Sequence, residues 1–339
     1  MSEGYSSPLT VGVLMGGISS EHEVSLLSGE GVIRALKELG YEPLPIKIRR
    51  DFIWEIGTIG SFSIDEALCK LKKLNLSAVF IALHGAFGED GRIQGVLDWL
   101  GIPYTGSGCS ACSLAMNKVR AKAVVKSFGV RVAEHLVFHQ ENWTWDRPEV
   151  VSLVKRELNF PVVIKPVSQG SSVGVSIAND EQQLLNGIEE AFEWDKEIFI
   201  EKFIRGTEVT CGIWDCEDGV PPKALPVTEI CPKTSRFFDY TAKYTPGATD
   251  EITPARLNDE LTQKVQEMAI TAHKAIGCEM WSRSDFIIDE AGPVWIEINT
   301  IPGLTPTSLY PQEAQHAGIS YKDMVKAFVE FALRKSPHC

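Results

Sequence analysis

The segment "VWIEINTIPGLTP", Val294 to Pro306, decides how the chain is read. Its first six residues have the composition of a strand, in which successive side chains point to opposite faces. On that rule Val294, Ile296 and Ile298 share one face, and Trp295, Glu297 and Asn299 share the other. The run breaks at Pro302-Gly303 and continues into "TPTSL". The apolar run before it, "SRSDFIID", carries Arg283 and Asp285 two apart and is joined to it through the turn "EAG". If the two runs pair as a hairpin, Asp285, Glu297 and Asn299 converge. Two carboxylates and an amide oxygen form a hard-oxygen set, suited to Mg²⁺ or Mn²⁺ and unsuited to zinc. A hairpin with one wetted face is the plain alternative. The turn that follows offers backbone N–H groups and hydroxyls, which can hold an anion such as a carboxylate.

Upstream, "IKPVSQGSSVGVS" places Lys165 at a strand end before Gly170, Ser171 and Ser172. Such a turn can offer donors to phosphate oxygens, or be an ordinary hairpin turn with a solvated lysine; it lacks the Walker A order. "DKEIFIEKFIRGTEVTCGIW" reads as an antiparallel pair, with Glu201 at the end of one strand and Glu208 beyond it. These are either nucleotide-hydroxyl and base acceptors or surface acids. "NKVRAKAVVKSFG" is a basic helix. "SRFFDYTAKYTPGATDEITPARL" reads as a long loop, a class that is usually functional or disordered. "NDELTQKVQEMAITAHKAIG" is an amphipathic helix capped by Asn258, and "SYKDMVKAFVEFALRK" opens with a Ser-x-x-Asp cap.

The N-terminal third differs. "LTVGVLMGG" and "SAVFIALHG" are buried strands, each followed by a helix, which implies a parallel sheet with functional residues at the strand ends. The first helix shows Val24, Leu27, Val32 and Leu36 at helical spacing. Glu21 and His84 follow the two strand ends, where an acid can hold an ammonium group. Acids at a helix start also simply complement the dipole.

The 339 residues predict two or three domains, and 44% hydrophobic with 23% charged is an ordinary globular balance. A net charge of -12 argues against a nucleic-acid surface. With no apolar run of membrane length and no signal-peptide pattern, a soluble cytoplasmic protein without a membrane partner is expected. Eight cysteines lie scattered, and the single CxxC, Cys109 and Cys112 in "CSAC", reads as buried small residues.

Taken together, "GGISSEHEVSLLSG", "ALHGAFGEDGRIQGVLDWLGIPYTGSG", "IKPVSQGSSVGVS", "DYTAKY" and "EINTIPGLTPTSLYP" resemble, in order and nearly end to end, the D-alanine–D-alanine ligases of the ATP-grasp superfamily. The resemblance implies a mixed α/β and α+β fold of three domains. These are an N-terminal substrate-binding parallel-sheet (pre-ATP-grasp) domain over 1–115, a central ATP-grasp subdomain over 116–212, and a C-terminal subdomain with lid loop and metal site over 213–339. It implies that ATP phosphorylates one D-alanine and that the amine of a second attacks the acyl phosphate, for peptidoglycan synthesis. It also implies two Mg²⁺ (or Mn²⁺) ions and a homodimer.

The resemblance further implies roles at matching positions. Glu21 and His84 would lie at the first D-alanine. Lys118 and Lys165 would contact nucleotide phosphates, covered by the backbone of Gly170 and Ser172. Glu201, Lys202, Phe203, Ile204 and Glu208 would hold adenine and ribose. Asp285, Glu297 and Asn299 would ligate metal, and Arg283 with the Gly303 N–H would stabilise the oxyanion. Ser308 and Leu309 would take the second carboxylate. Lys243 and Tyr244 would sit on a closing lid, with Tyr244, Ser171 and Glu21 linked by hydrogen bonds. Three positions depart from the usual pattern: Asn117 for Asp, Gln169 for Glu in some members, and the polar Ser284 for an apolar residue. A D-alanine–D-lactate or D-alanine–D-serine ligase shares the chemistry, and a non-catalytic ATP-grasp-like protein would have lost a metal ligand or Arg283.

Overall fold

The computed structural model describes residues 8–233 and 249–335, so Lys243 and Tyr244 lie outside the described residues. Three sheets organise the chain. The first has the order β4-β3-β2-β1-β5, from β1 (Thr10–Gly16), β2 (Glu42–Ile48), β3 (Trp54–Ile56), β4 (Gly60–Phe62) and β5 (Ala78–Ile81). β1 pairs in parallel with β2 and β5, as the alternating strand–helix pattern requires, while β3 and β4 add an antiparallel edge that the pattern did not announce.

The helix His22–Glu38 packs on β1 differently from its expected stripe. Leu27 is 56% exposed, and the buried face is instead Ser25, Ser28, Gly29, Val32 and Leu36. Close approach explains the choice of small residues. A Cβ at Gly29 would meet the Met15 sulfur at 2.6 Å. Ser25 Oγ accepts the Gly16 N–H at 2.8 Å and donates to the Ala82 carbonyl at 2.7 Å. Hydrogen bonds thus replace apolar contacts where the helix meets the strand end.

The second sheet, order β6-β9-β7-β8, is antiparallel throughout: β6 (His135–His139), β7 (Val162–Pro166), β8 (Ser176–Ala178) and β9 (Glu197–Lys202). Among the described residues the third has the order β13-β12-β10-β14-β15, with β11 (Lys223–Ala224) also on β10. Its strands are β10 (Thr207–Asp215), β12 (Thr228–Pro232), β13 (Thr249–Ile252), β14 (Met280–Asp289) and β15 (Gly292–Asn299). The expected pairing of β9 with β10 does not occur. β9 pairs with β6 and β7, and β10 pairs with β11, β12 and β14, so residues 203–206 carry the chain from one sheet to the next. Part of the segment read as a long loop is β13, paired with β12.

Asn258 caps the helix Asp259–Ile276 by accepting the Leu261 N–H, and Ser320 caps Tyr321–Arg334 by accepting the Asp323 N–H, both as the sequence predicts. That last helix does more than end the chain. Phe328 stacks on Trp281 of β14 and approaches Phe80 of β5, so one aromatic core joins the first and third sheets. Each large side chain buried there contributes roughly 1.5–3 kcal/mol, and the shared core holds the strand ends of the two sheets together. CSAC opens the helix Cys109–Met116, with Cys112 buried and both thiols free.

Candidate functional site

β14 and β15 form the expected hairpin, with Arg283 opposite Asn299 and Asp285 opposite Glu297. The register then shifts, and Phe286 faces Trp295, leaving Ile296 as the extra residue of a β-bulge. A bulge inserts one residue and reverses the phase of alternation beyond it. The strict period-2 reading is therefore corrected: Trp295 does not share a face with Glu297. It is fully buried in the core with Phe286 and Ile298, under the helix Asp259–Ile276, while Ile296 lines the cleft beside Glu297. Ser284, the polar departure, is buried too, and its Oγ accepts the Trp295 indole N–H at 3.2 Å. The hydroxyl thereby satisfies a donor that the bulge has turned inward.

A cleft runs between the second and third sheets. The second sheet and its loop line it with Val163, Lys165, Gln169, Ser172, Ile177 and Glu201, the strand connection with Lys202, Phe203 and Ile204, and the third sheet with Glu208, Asp285, Ile287, Ile296 and Glu297. Lys118 also lines it, donating to the Gln169 carbonyl at 2.6 Å and pairing with Glu297 at 3.3 Å. Asn117 caps the lysine's helix by accepting the Arg120 N–H, a function Asp would serve equally.

At one end Glu201 is clamped. Lys165 Nζ lies 2.6 Å from one carboxylate oxygen and Lys122 Nζ 3.0 Å from the other. Burial disfavours its charge, yet the two lysines outweigh burial and bring the Glu201 carboxyl down to about 2. The sequence reading missed Lys122, which sits one helical turn after Lys118. Its signal was only the i, i+4 spacing in "NKVRAK".

At the other end lies a polar cluster. Arg283 grips Asp285 with two bonds, Nε to Oδ1 at 3.0 Å and Nη2 to Oδ2 at 3.1 Å. Asp285 also accepts from Thr210 Oγ1 at 2.7 Å and from Asn299 Nδ2 at 3.3 Å. Because Asn299 turns its amide nitrogen toward Asp285, its amide oxygen faces elsewhere. Below Arg283, the fully buried Glu313 accepts the Gly212 N–H at 2.7 Å, and burial raises its carboxyl to about 8. A Cβ at Gly212 would meet that oxygen at 2.6 Å, so glycine makes room for the acid. Glu313 escaped the sequence reading because nothing local distinguishes it from a surface helix acid.

The N-terminal residues reach the same cleft. Ser171 Oγ donates to Glu21 Oε1 at 2.6 Å, joining the Gly/Ser turn to the first domain. Ser171 and Ser172 have φ values of 50° and 58°, the left-handed region that non-glycine residues rarely adopt, in keeping with a loop shaped for a purpose. Gly170 approaches Glu21 as well: its Cβ would lie 3.5 Å from Glu21 Oε2. His84 is buried between Ser28 Oγ at 3.0 Å and the Ile301 carbonyl at 3.2 Å, and burial lowers its pKa toward the neutral ring. Glu89, which the sequence reading did not select, lies 4.0 Å from His84, and burial raises it well above an ordinary carboxyl. Ser308 stands at the N-cap position of the helix Leu309–His316 without a side-chain cap bond, and its Oγ instead accepts the Thr305 N–H at 3.1 Å; a Cβ at Gly303 would strike this hydroxyl at 2.9 Å. Among the described residues no helix is long and apolar enough to cross a membrane, and none forms a cluster of three His, Cys, Asp or Glu side chains arranged for a metal.

Comparison with known proteins agrees with this arrangement. The family model described as D-ala D-ala ligase N-terminus matches residues 10–107, and that described as D-ala D-ala ligase C-terminus matches 124–330. The D-alanine–D-alanine ligase of Halalkalibacterium halodurans is 43% identical over 329 residues, covering 96% of this chain and 100% of the relative. Among solved structures, the VanG D-Ala:D-Ser ligase of Enterococcus faecalis superposes with a TM-score of 0.83 at 31% identity, covering 96% of this chain and 100% of that one. The Bacillus anthracis D-alanine–D-alanine ligase complexed with ATP superposes at 0.78 with 33% identity, over 97% and 98% of the two chains.

Proposed function

Because the chain belongs to the D-alanine–D-alanine ligase family, we propose that the cleft between the second and third sheets holds ATP and that both amino acids meet at the end of β15. The protein is an ADP-forming ligase that joins two D-alanines in an ATP-dependent reaction of peptidoglycan synthesis. The observation that carries the site reading is the 2.6 Å contact between Ser171 and Glu21, which brings the substrate domain against the turn next to Lys165.

In this reading Lys202, Phe203 and Ile204 take the adenine with Glu201 behind them, and Glu208 takes the ribose. Lys118 and Lys165, with the turn at Gly170 and Ser172, bind the phosphates. Glu21 receives the ammonium of the first D-alanine beside the neutral His84. Its carboxylate attacks the γ-phosphorus, and ADP leaves. The free amine of the second D-alanine then attacks the acyl phosphate carbon. Arg283 and the Gly303 N–H face the oxygen that becomes negative, where fixed donors lower the barrier most. Inorganic phosphate leaves as the tetrahedral centre collapses to the amide. Ser308 and the Leu309 backbone hold the second carboxylate.

Asp285, Glu297 and Asn299 fit a divalent cation. All three carry hard oxygen donors; Asn299 now has its amide nitrogen on Asp285, and a flip of that amide would present its oxygen beside the two carboxylates. These residues would hold two Mg²⁺ or Mn²⁺ ions, which when bound neutralise charge on the transferring phosphoryl group. We place the protein in the cytoplasm, where ATP is available, as a homodimer without nucleic-acid or membrane partners.

D-alanine is the second substrate in this reading. The relatives at 43% and 44% identity are named D-alanine–D-alanine ligases, whereas the D-Ala:D-Ser ligase is 31% identical. Phosphate release with D-alanine, D-serine and D-lactate as the second substrate tests it. The highest kcat/KM is expected with D-alanine at neutral pH, and a higher value with either of the others would overturn it.

A further inference from the structure

We propose that Lys122 is a positioning residue for recognition of the purine base, acting through Glu201 from behind the wall of the cleft. The inference rests on the placement of Glu201 at the base end of the ATP site. Lys122 lies on the helix Lys118–Ser127 with its side chain 0% exposed, and it is absent from the cleft lining. Its ammonium is 3.0 Å from Glu201 Oε2 and 5.9 Å from the ring centres of both Phe199 and Trp295. The only carboxylate paired with it within 4.0 Å among the described residues is Glu201.

Charge accounting gives this lysine a purpose beyond packing. Glu201 has two oxygens and two lysines. Lys165 lines the cleft and is needed at the phosphates, while Lys122 is sealed away from any ligand. The Lys122 charge lies 3.0 Å from one oxygen, as an ion pair outside hydrogen-bond geometry; it keeps the carboxylate ionised, draws that oxygen to its side, and leaves Lys165 not wholly neutralised. An adenine 6-amino group then meets a fixed acceptor. A 6-oxo purine presents an acceptor to the same carboxylate and is disfavoured. Without Lys122, Glu201 would turn to Lys165 alone, and both base selection and phosphate binding would weaken. The helix thus serves both ends of the nucleotide: Lys118 inside the cleft, and Lys122 one turn later outside it.

The test is calorimetric binding of ATP and ITP to Lys122→Met, Glu201→Gln and the double variant, alongside the unaltered enzyme. Lys122→Met is expected to weaken ATP binding tenfold or more and to bring the ATP-over-ITP preference close to one. The double variant should be no worse than Glu201→Gln, because interacting residues are non-additive when one acts through the other. A Lys122→Met enzyme that melts earlier but keeps its affinity and preference overturns the proposal, as does full additivity in the double variant. If Glu201→Gln itself leaves the preference intact, the placement of Glu201 at the base is what fails. Should Lys122→Met not fold, Lys122→Gln is read the same way: a weakened preference supports the proposal and an unchanged one overturns it.

Discussion

Glu201 on the second sheet and Glu313 beside the third are two acids that burial treats alike and neighbours treat oppositely. Glu201 lines the cleft, almost fully buried between two ammonium groups, and its carboxyl falls to about 2. Glu313 is fully buried under Arg283 with one backbone N–H as its close partner, and its carboxyl rises to about 8. The nearby Arg283 charge pulls it down without offsetting desolvation. Burial sets the size of the stakes; cations in direct contact set the sign. The surroundings of Glu201 are thus an electrostatic clamp of two lysines. Under Arg283 the raised Glu313 carboxyl favours the neutral acid, which leaves the guanidinium paired with Asp285.

The sharpest break of this contrast lies between the two, at Glu297, which pairs with Lys118 at 3.3 Å. Glu297→Ala should lower turnover by about a thousandfold or more, since a bound metal supplies several kcal/mol of charge stabilisation. Steady-state phosphate release with a folded variant checks this, and near-normal activity would remove Glu297 from the metal set. Next, Glu201→Leu leaves Lys122 and Lys165 facing each other without an acid. Removing one partner of a buried pair costs about 3–5 kcal/mol, to be read from urea unfolding at neutral pH.

The third prediction turns on sign. Glu201 is depressed, so its contribution to stability is present above the unfolded carboxyl range and disappears as pH falls toward about 2. Glu313 is raised, so its contribution is present at low pH and disappears as pH climbs from the unfolded carboxyl range through about 8. Glu313→Gln keeps an acceptor for the Gly212 N–H and removes the ionisation. It should therefore stabilise the protein at pH 8 by roughly a few kcal/mol, and the gain should vanish near pH 5. Thermal unfolding across that range measures it; a gain that does not depend on pH would mean that Glu313 is already charged in the fold.

Much of this site was legible because motifs report short-range geometry. The hairpin of "SRSDFIID" and "PVWIEIN", the caps at Asn258 and Ser320, and the turn after Lys165 all follow from residues within a few positions of one another. The expected β9–β10 pair and the loop that holds β13 failed, and so did two readings of facing, where a local pattern was silent about its surroundings. Alternation placed Trp295 with Glu297, but a bulge at Ile296 reversed the phase, and an indole has the bulk to fill the core beneath the helix. Spacing placed Leu27 inward, but the helix lies too close to β1 for leucine and buries Ser25 and Gly29 instead.

By itself the sequence determined the main strands and helices, though not β3, β4 or β13, together with the family and its chemistry and the residue types at the strand ends. Propensity, capping and hydrophobic periodicity are properties of neighbouring residues. Only the tertiary structure decided that β9 and β10 join different sheets, that Phe328 ties the last helix to Trp281 and Phe80, and that Lys122 reaches Glu201 and Glu313 reaches Gly212. The reason is physical. Desolvation and Coulomb interactions depend on distance through space and on what excludes water, and those quantities come into being only when remote segments pack together.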